Sequence, residues 1–598
     1  MPKLLPVLLC AASLTLTGAD AGWAPQPGPL TTRWGRAVSP DSVHPEYPRP
    51  GLVRERWQNL NGLWSYAVTP DTAAQPTRWQ GQILVPFPVE SALSGVKRPL
   101  TETQRLWYRR EFTVPQGWRG GRVLLHFGAS DWETRVWVNG RLLGEHQGGY
   151  DPFSFDLTPA LRAGGPQEVV VSVWDPSDAG TQPRGKQVRD PREIWYTSSS
   201  GLWQTVWLEP VPAAHIASLK TVPDLDRGEL RLTVNAPSGN TVRAVALDGN
   251  VPVAEGSGEV GTPLTLRIPS PKPWSPDHPH LYRLTAELRR GGQVTDRVSS
   301  YFGMRKISVG QDARGVTRLL LNNRPLFQLG TLDQGFWPDG LYTAPSDAAL
   351  RSDLETLKRL GFNLVRKHVK VEPERWYYWA DKLGLLVWQD MPSGDEFSPE
   401  GGPDLTRTGG SAAQFERELR SMIASHQNHP SVVMWVLFNE GWGQSGTARL
   451  TELVRRLDPT RPVNSASGWN DRGTGDVTDL HRYPGPAAPA PEARRAAVLG
   501  EFGGLGLPVA GHTWQARANW GYRSFTSRDA LTRAYETSIA ALRPLVAGGL
   551  SAAVYTQTSD VEIEVNGLLT YDRALVKMDE ARVRAAHEAL FRSADAVR

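Results

Sequence analysis

Cysteine is almost missing from this 598-residue chain; its one cysteine, Cys10, lies in the first ten residues. Beyond that point disulfides, zinc-thiolate sites and thiol nucleophiles are excluded. Histidine is thin as well, and His426-x-x-His429 has neither the spacing nor the glutamate of a zinc helix, so no metal is expected. Charge of one sign is never gathered into runs: 66 Lys and Arg face 62 Asp and Glu, a net +4 spread along the chain. Nucleic acid and anionic membranes are therefore not the expected partners. After about residue 21 no apolar stretch approaches the 18 residues of a membrane span. No period of 20–50 residues repeats, which excludes solenoids and propellers. Gly503-Gly504-Leu505-Gly506 has no following Lys-Ser/Thr and is not a phosphate loop. The 58 glycines and 48 prolines stay below the ~25–30% of low-complexity chains.

What is present is apolar and aromatic: 40% hydrophobic residues, with 23 tryptophans whose flat faces suit sugar rings as well as packed cores. The length predicts about four units, or fewer if one is a large barrel. Residues 1–21 read as a secretory signal, with Lys3 as the positive n-region, Leu4 to Leu16 as the apolar core and Ala19-Asp20-Ala21 as the cleavage site. Leu9 before Cys10 argues against a lipoprotein signal. Export to the periplasm or the medium is the expectation, with no membrane attachment after cleavage.

Residues 22–212 are strand-like and punctuated by turns. Thr134 to Val138 closed by Asn139-Gly140 is a strong hairpin signal, and the unit is predicted to be an antiparallel sandwich. Residues 213–308 carry shorter, closely spaced runs, predicting a second sandwich of immunoglobulin size. Over 309–598 the period changes. Ser346 caps a helix whose Leu350, Leu354, Leu357 and Leu360 form one stripe ending at Gly361, and a second helix runs from Glu374 to Leu383. Strands are predicted near Pro325–Leu329, Asn363–Arg366, Leu385–Trp388, Val432–Phe438, Pro462–Ser465, Val477–Tyr483, Ala497–Glu501 and Ser551–Gln557. Eight strands with helical segments between them predict a (β/α)8 TIM barrel, giving a multidomain β plus α/β chain.

In such a barrel the reacting groups sit at the C-terminal ends of strands. Glu440 ends the fourth strand, in Phe438-Asn439-Glu440-Gly441-Trp442, and Glu501 ends the seventh, in Leu499-Gly500-Glu501-Phe502-Gly503. Two carboxylates over one barrel mouth suit glycoside hydrolysis, one protonating the leaving oxygen and the other attacking the anomeric carbon or activating water. With these two come Trp107 to Phe112, Val136 to Gly140, Gly149 to Asp156, Phe302-Gly303-Met304-Arg305-Lys306 and Asn428-His429-Pro430-Ser431-Val432. Their order resembles glycoside hydrolase family 2, the β-galactosidase, β-glucuronidase and β-mannosidase family, over nearly the whole mature chain.

The resemblance implies a galactose-binding-like jelly roll, an immunoglobulin-like sandwich and a barrel, with retention of anomeric configuration. It implies Glu440 as acid/base, Glu501 as nucleophile, Asn439 on the sugar 2-hydroxyl and Tyr483 orienting the nucleophile. Asp333, placed just past the first strand, is a candidate for sugar hydroxyls or for a turn. Arg366 and His368 end the second strand, where the family's Arg-x-x-His becomes Arg366-Lys367-His368, so His368 is expected to face the other way from the family's histidine. Asp390 at the third strand's end, His481 beside Tyr483, and Trp442 and Trp514 as stacking surfaces complete the candidate substrate contacts. The charge of Glu501 is expected to raise the pKa of Glu440.

The chain thus reads as a secreted retaining exo-β-glycosidase with a carbohydrate substrate and no cofactor; a homo-oligomer is left open. Family glucuronidases carry an Asn-x-Lys element for the uronate. Here the corresponding stretch, Asp560 to Leu568, has no Lys and carries Glu562 and Glu564. A neutral glycone is expected, β-galactoside first, with β-mannoside, α-L-arabinopyranoside or β-glucuronide as alternatives. An endo-glycanase barrel does not need the two sandwiches. The alternative of another class is a catalytically silent carbohydrate-binding protein that kept the fold.

Overall fold

A computed structural model describes residues 23–118 and 120–595; the leader expected over residues 1–21 lies outside the described residues. In the first unit a six-stranded antiparallel sheet faces a four-stranded one. The strand Gln167–Trp174 shows how sequence dictates this layering. Val169, Val171 and Val173 enter the core between the sheets, while Val170 on the opposite face is covered with Trp107 beneath Trp79 and Trp137. Glu133–Val138 turns back into Arg141–Gln147 through Asn139 and Gly140, both at positive φ, as the Asn-Gly signal predicts. The second unit packs a three-stranded on a four-stranded antiparallel sheet around Leu230, Leu232, Ala244, Leu284 and Leu288.

Between this unit and the barrel stands a small antiparallel sheet of Ile307–Gln311, Thr317–Leu321 and Arg324–Pro325. Pro325, expected in the first barrel strand, belongs to this sheet, paired with Leu320. Ile307, Leu319 and Leu321 cluster with the inward residues Leu332, Leu364 and Trp388 and close the barrel at its N-terminal end.

The barrel strands are β1 Gln328–Asp333, β2 Leu364–Lys367, β3 Leu386–Asp390, β4 Val432–Val436, β5 Val463–Asn464, β6 Val477–Arg482, β7 Ala496–Gly503 and β8 Leu550–Thr556. All pair in parallel, in the order β5-β4-β3-β2-β1-β8-β7-β6. Helix α1, Asp347–Leu360, buries its Leu350, Leu354, Leu357 and Leu360 stripe; Ser346 Oγ accepts from the Ala349 N–H, and Gly361 closes it at φ 90°. Helices α2 Glu374–Leu383, α3 Gly409–His426 and α4 Thr447–Leu457 follow β2, β3 and β4; α5 Arg528–Gly548 precedes β8 and α6 Glu580–Asp595 follows it.

The expected alternation fails at two successive connections. The connections after β5 and β6 contain no helix among the described residues, and these two strands share no ladder. Their seam is bridged by one backbone bond, Asp476 N–H to the Val463 carbonyl at 2.8 Å, and by side chains: Asp476 takes the Val463 N–H at 2.7 Å and Asp479 takes Asn464 Nδ2 at 2.6 Å. Among the described residues no helix is long and apolar enough to cross a membrane.

Candidate active site

The strand ends converge as barrel geometry requires. Glu440 lies four residues past β4, at φ 53°, a left-handed conformation rare outside glycine and held here by its N–H to the Ser467 carbonyl at 2.9 Å. Glu501 is inside β7. One oxygen of each, together with a ring nitrogen of His481, lie within 4.8 Å of one another. A cavity of about 310 Å³ where the three units meet is bordered by other residues, Arg49, Trp203, Tyr301 and Glu374 among them, and has no part in this cluster.

Arg366 on β2 organises the pair. Its fully buried guanidinium donates to Asp390 from Nε (3.0 Å) and Nη2 (2.9 Å), to Asn439 Oδ1 at 2.8 Å, and to Glu501 Oε1 at 3.3 Å. Tyr483 donates to Glu501 Oε2 at 2.5 Å and stacks on Tyr522. Asn439 Nδ2 is buried without a protein partner, a donor free for a sugar hydroxyl.

The pKa of Glu440 is lowered, contrary to the expectation. Burial is the largest influence and pushes it up, but the hydrogen bond and charge of His481, with Lys186 and Arg366, outweigh it. The pKa of His481 is raised: burial pushes it down, and the Glu501 charge, then the bond and charge of Glu440, then Asp479, reverse this.

Five further candidates make contacts within the protein. Asp333 is the last residue of β1, not a residue beyond it, and its buried carboxylate accepts Lys367 Nζ at 2.7 Å and the Gly335 N–H at 3.0 Å. It is spent on a structural ion network that Glu372 joins through Lys367 at 2.9 Å. His368 stands just past the end of β2, two residues from Arg366, and its Nδ1 meets Asp390 Oδ2 at 3.0 Å. Asp390, filled by Arg366, His368 and the Val369 N–H, supports these groups instead of facing a sugar. Trp514 packs edge-on against Tyr571. Trp442 stacks on Trp195 of the first sandwich, centroids 4.6 Å apart, in a crevice with Phe397.

The first sandwich reaches into this region. Arg184 and Gly185 N–H groups both donate to the Ser393 carbonyl at 2.8 Å, Tyr196 OH donates to Glu564, and the Thr197 N–H to Glu562 at 3.2 Å. Glu562 and Glu564 are therefore buried clamps between domains. Lys186, in the same loop, makes no ion pair among the described residues, and its ammonium lies 5.9 Å from the Tyr196 ring. Sequence reasoning missed Lys186, Tyr196 and Tyr522, because nothing local to them signals a contact made across domains or loops.

Family profiles match the chain in order: "Glycosyl hydrolases family 2, sugar binding domain" over residues 57–212, "Glycosyl hydrolases family 2" over 214–305, and "Glycosyl hydrolases family 2, TIM barrel domain" over 318–483. A β-glucuronidase of Paenibacillus borealis is 27% identical over 70% of this chain and 74% of its own length. A β-galactosidase of Thermoanaerobacter pseudethanolicus is 25% identical over 60% of this chain, which spans about half of that relative's length (48%). Among solved structures, a β-D-glucuronidase of Dictyoglomus thermophilum superposes with a TM-score of 0.72 at 19% identity, covering 91% of this chain and 98% of that one, a likeness of fold.

Proposed function

Since the chain belongs to glycosyl hydrolase family 2, matched through all three of its units, we propose that it is a retaining exo-β-glycosidase working by double displacement. Glu501 attacks the anomeric carbon, with Tyr483 and Arg366 holding its two oxygens, while Glu440 protonates the departing oxygen. Water activated by Glu440 then releases the sugar. The observation that carries this reading is the approach of the carboxylate oxygens within 4.8 Å, in keeping with the ~5–5.5 Å of retaining pairs and short of the ~6.5–9.5 Å of inverting ones. A proton NMR time course should show the β-anomer first; the α-anomer first would overturn the proposal. The intact pair of carboxylates speaks against a silent binding protein. The signal-like residues 1–21 support export.

For the glycone we favour a neutral sugar, β-galactoside first, because the stretch from Asp560 to Leu568 carries no Lys for a uronate and Arg366 is fully engaged. One observation favours a second reading, a β-glucuronide: Lys186 is a nearly buried ammonium without a carboxylate partner among the described residues, and its charge reaches Glu440 and His368. The kcat/KM for nitrophenyl β-galactoside should exceed that for nitrophenyl β-glucuronide. The reverse order, abolished by Lys186→Met, would establish the second reading.

A further inference from the structure

His481 was expected to touch sugar, but both of its ring nitrogens are already engaged. Nδ1 lies 2.8 Å from Glu440 Oε1, and Nε2 lies 2.7 Å from Ser467 Oγ. The hydroxyl of Ser467 donates its only proton to Asp479 Oδ2 at 2.6 Å, so it can meet Nε2 only as an acceptor. Asp479 in turn is held by Asn464 Nδ2 and by the Gly500 N–H, each at 2.6 Å. Arg366 Nη1, 3.3 Å from Nε2, has the Gly500 carbonyl at 3.2 Å and Glu501 at 3.3 Å as its own acceptors. With acceptors at both ends of the ring, one proton beyond the neutral imidazole is accommodated, and it lies on the line to Glu440.

We propose that His481 is a positioning residue that stores the proton Glu440 delivers, so that the acid of the reaction is the Glu440–His481 pair and not an isolated carboxyl group. This rests on the glycosidase reading above. In the first step the proton crosses from Nδ1 to the Glu440 carboxylate. The carboxyl group, turning about its Cγ–Cδ bond, passes it to the leaving oxygen as the C1–O bond breaks and the C1–Oε bond to Glu501 forms. In the second step water loses a proton to Glu440, its oxygen bonds to C1, the ester bond to Glu501 breaks, and the proton returns to His481. No other reactant is consumed.

The surroundings of the ring favour the stored state. Glu440 from beyond β4, Glu501 on β7 at 3.6 Å, Asp479 on β6 and Asp390 on β3 are the acids near it. Arg366 from β2, His368 just past that strand, and Lys186 from the first sandwich oppose them; Arg366 is paired with Asp390, and the His368 pKa is held well below the usual imidazole value, chiefly by burial and then by the Lys186 charge. The raised pKa of His481 and the lowered pKa of Glu440 agree with the direction. An isolated acid/base carboxyl would instead depend on the charge of Glu501 to keep its proton.

The test has two arms. In the first, nitrogen-15 spectra of histidine-labelled full-length protein, with His481→Gln identifying the resonance and Ser467→Ala as a second identifier, report the ring directly. His481 should remain an imidazolium at pH values where an ordinary histidine is already neutral, and a neutral ring at pH 6 would overturn the proposal whether or not any glycoside is hydrolysed. In the second, His481→Gln should lower kcat/KM about 100-fold or more for a methyl glycoside but less than about tenfold for a dinitrophenyl glycoside, and should move the basic limb of the pH profile to lower pH. Equal losses for both substrates with an unmoved limb would reduce His481 to a structural support. Wild-type protein inactive on every glycoside would instead refute the glycosidase reading, leaving the nitrogen-15 result to decide this one.

Discussion

Asn439 is fixed at one end of its amide and free at the other: Oδ1 is taken by Arg366, while Nδ2 is buried with no partner. A buried donor left open is costly unless a ligand fills it. Asn439→Ala should therefore lower kcat/KM about 100-fold on a full glycoside and hardly at all on its 2-deoxy analogue, a comparison of two substrates that isolates the 2-hydroxyl. Glu501→Ala should abolish turnover, and added azide, entering the vacated space, should restore it slowly with a glycosyl azide of inverted configuration as product; near wild-type activity without azide would remove Glu501 from the mechanism. Both residues were legible in the sequence because each sits in a short local motif at a strand end. Lys186 and the bond between His481 and Glu440 were not, since a residue's neighbours on strands far away in sequence leave no mark beside it.

At the level of elements, β1 and β2 are tied by Asp333 and Lys367, a pair buried between the strands and α2, with Lys367 over the Trp376 ring at 4.4 Å. Removing Asp333 takes one of two carboxylates from buried Lys367 and leaves it Glu372 at 2.9 Å, so the loss falls short of the ~3–5 kcal/mol of a buried charge left alone. Asp333→Leu should accordingly lower the melting temperature by several degrees, while kcat/KM per folded molecule changes less than about threefold; a large rise in KM at unchanged stability would return Asp333 to the sugar. Helix α1 was readable because cap, stripe and terminal glycine agree. The first barrel strand was set three residues early because Pro325, in an apolar run continuous with β1, pairs backwards onto Leu320. The helices expected after β5 and β6 do not form: the connections hold prolines 484, 486, 489 and 491 and glycines 468, 473 and 475, residues that interrupt helices.

Across the whole molecule, buried acids and buried histidines pull stability in opposite directions with pH. Burial pushes Glu418 up to about 8 and Glu562 to about 7, both at contacts between the first sandwich and the barrel, and Glu90 to about 8. A raised carboxyl contributes stability that is complete below its unfolded pKa and fades as pH climbs to the folded value. Burial holds His44 at about 4 and His426 and His587 at about 3; their contribution is complete above the unfolded value of about 6.5 and fades as pH falls. The melting temperature should pass through a maximum near pH 5–6, between the unfolded carboxyl and histidine values, and decline as pH rises to about 8, and Glu418→Gln should flatten the alkaline side; a temperature still rising at pH 8 would contradict this. The seam between β5 and β6 adds a mechanical consequence. The Ser467–His481 and Asn464–Asp479 bonds are among the few rivets across it, so the groups that move the proton also keep the barrel shut. The proton leaves from Nδ1, on the Glu440 side, while Nε2 keeps its hold on Ser467, so the joint stays closed as the proton moves; amide exchange across residues 463–467 and 477–482 should be the same at pH values on either side of the His481 titration, and should quicken when Ser467→Ala takes the rivet away.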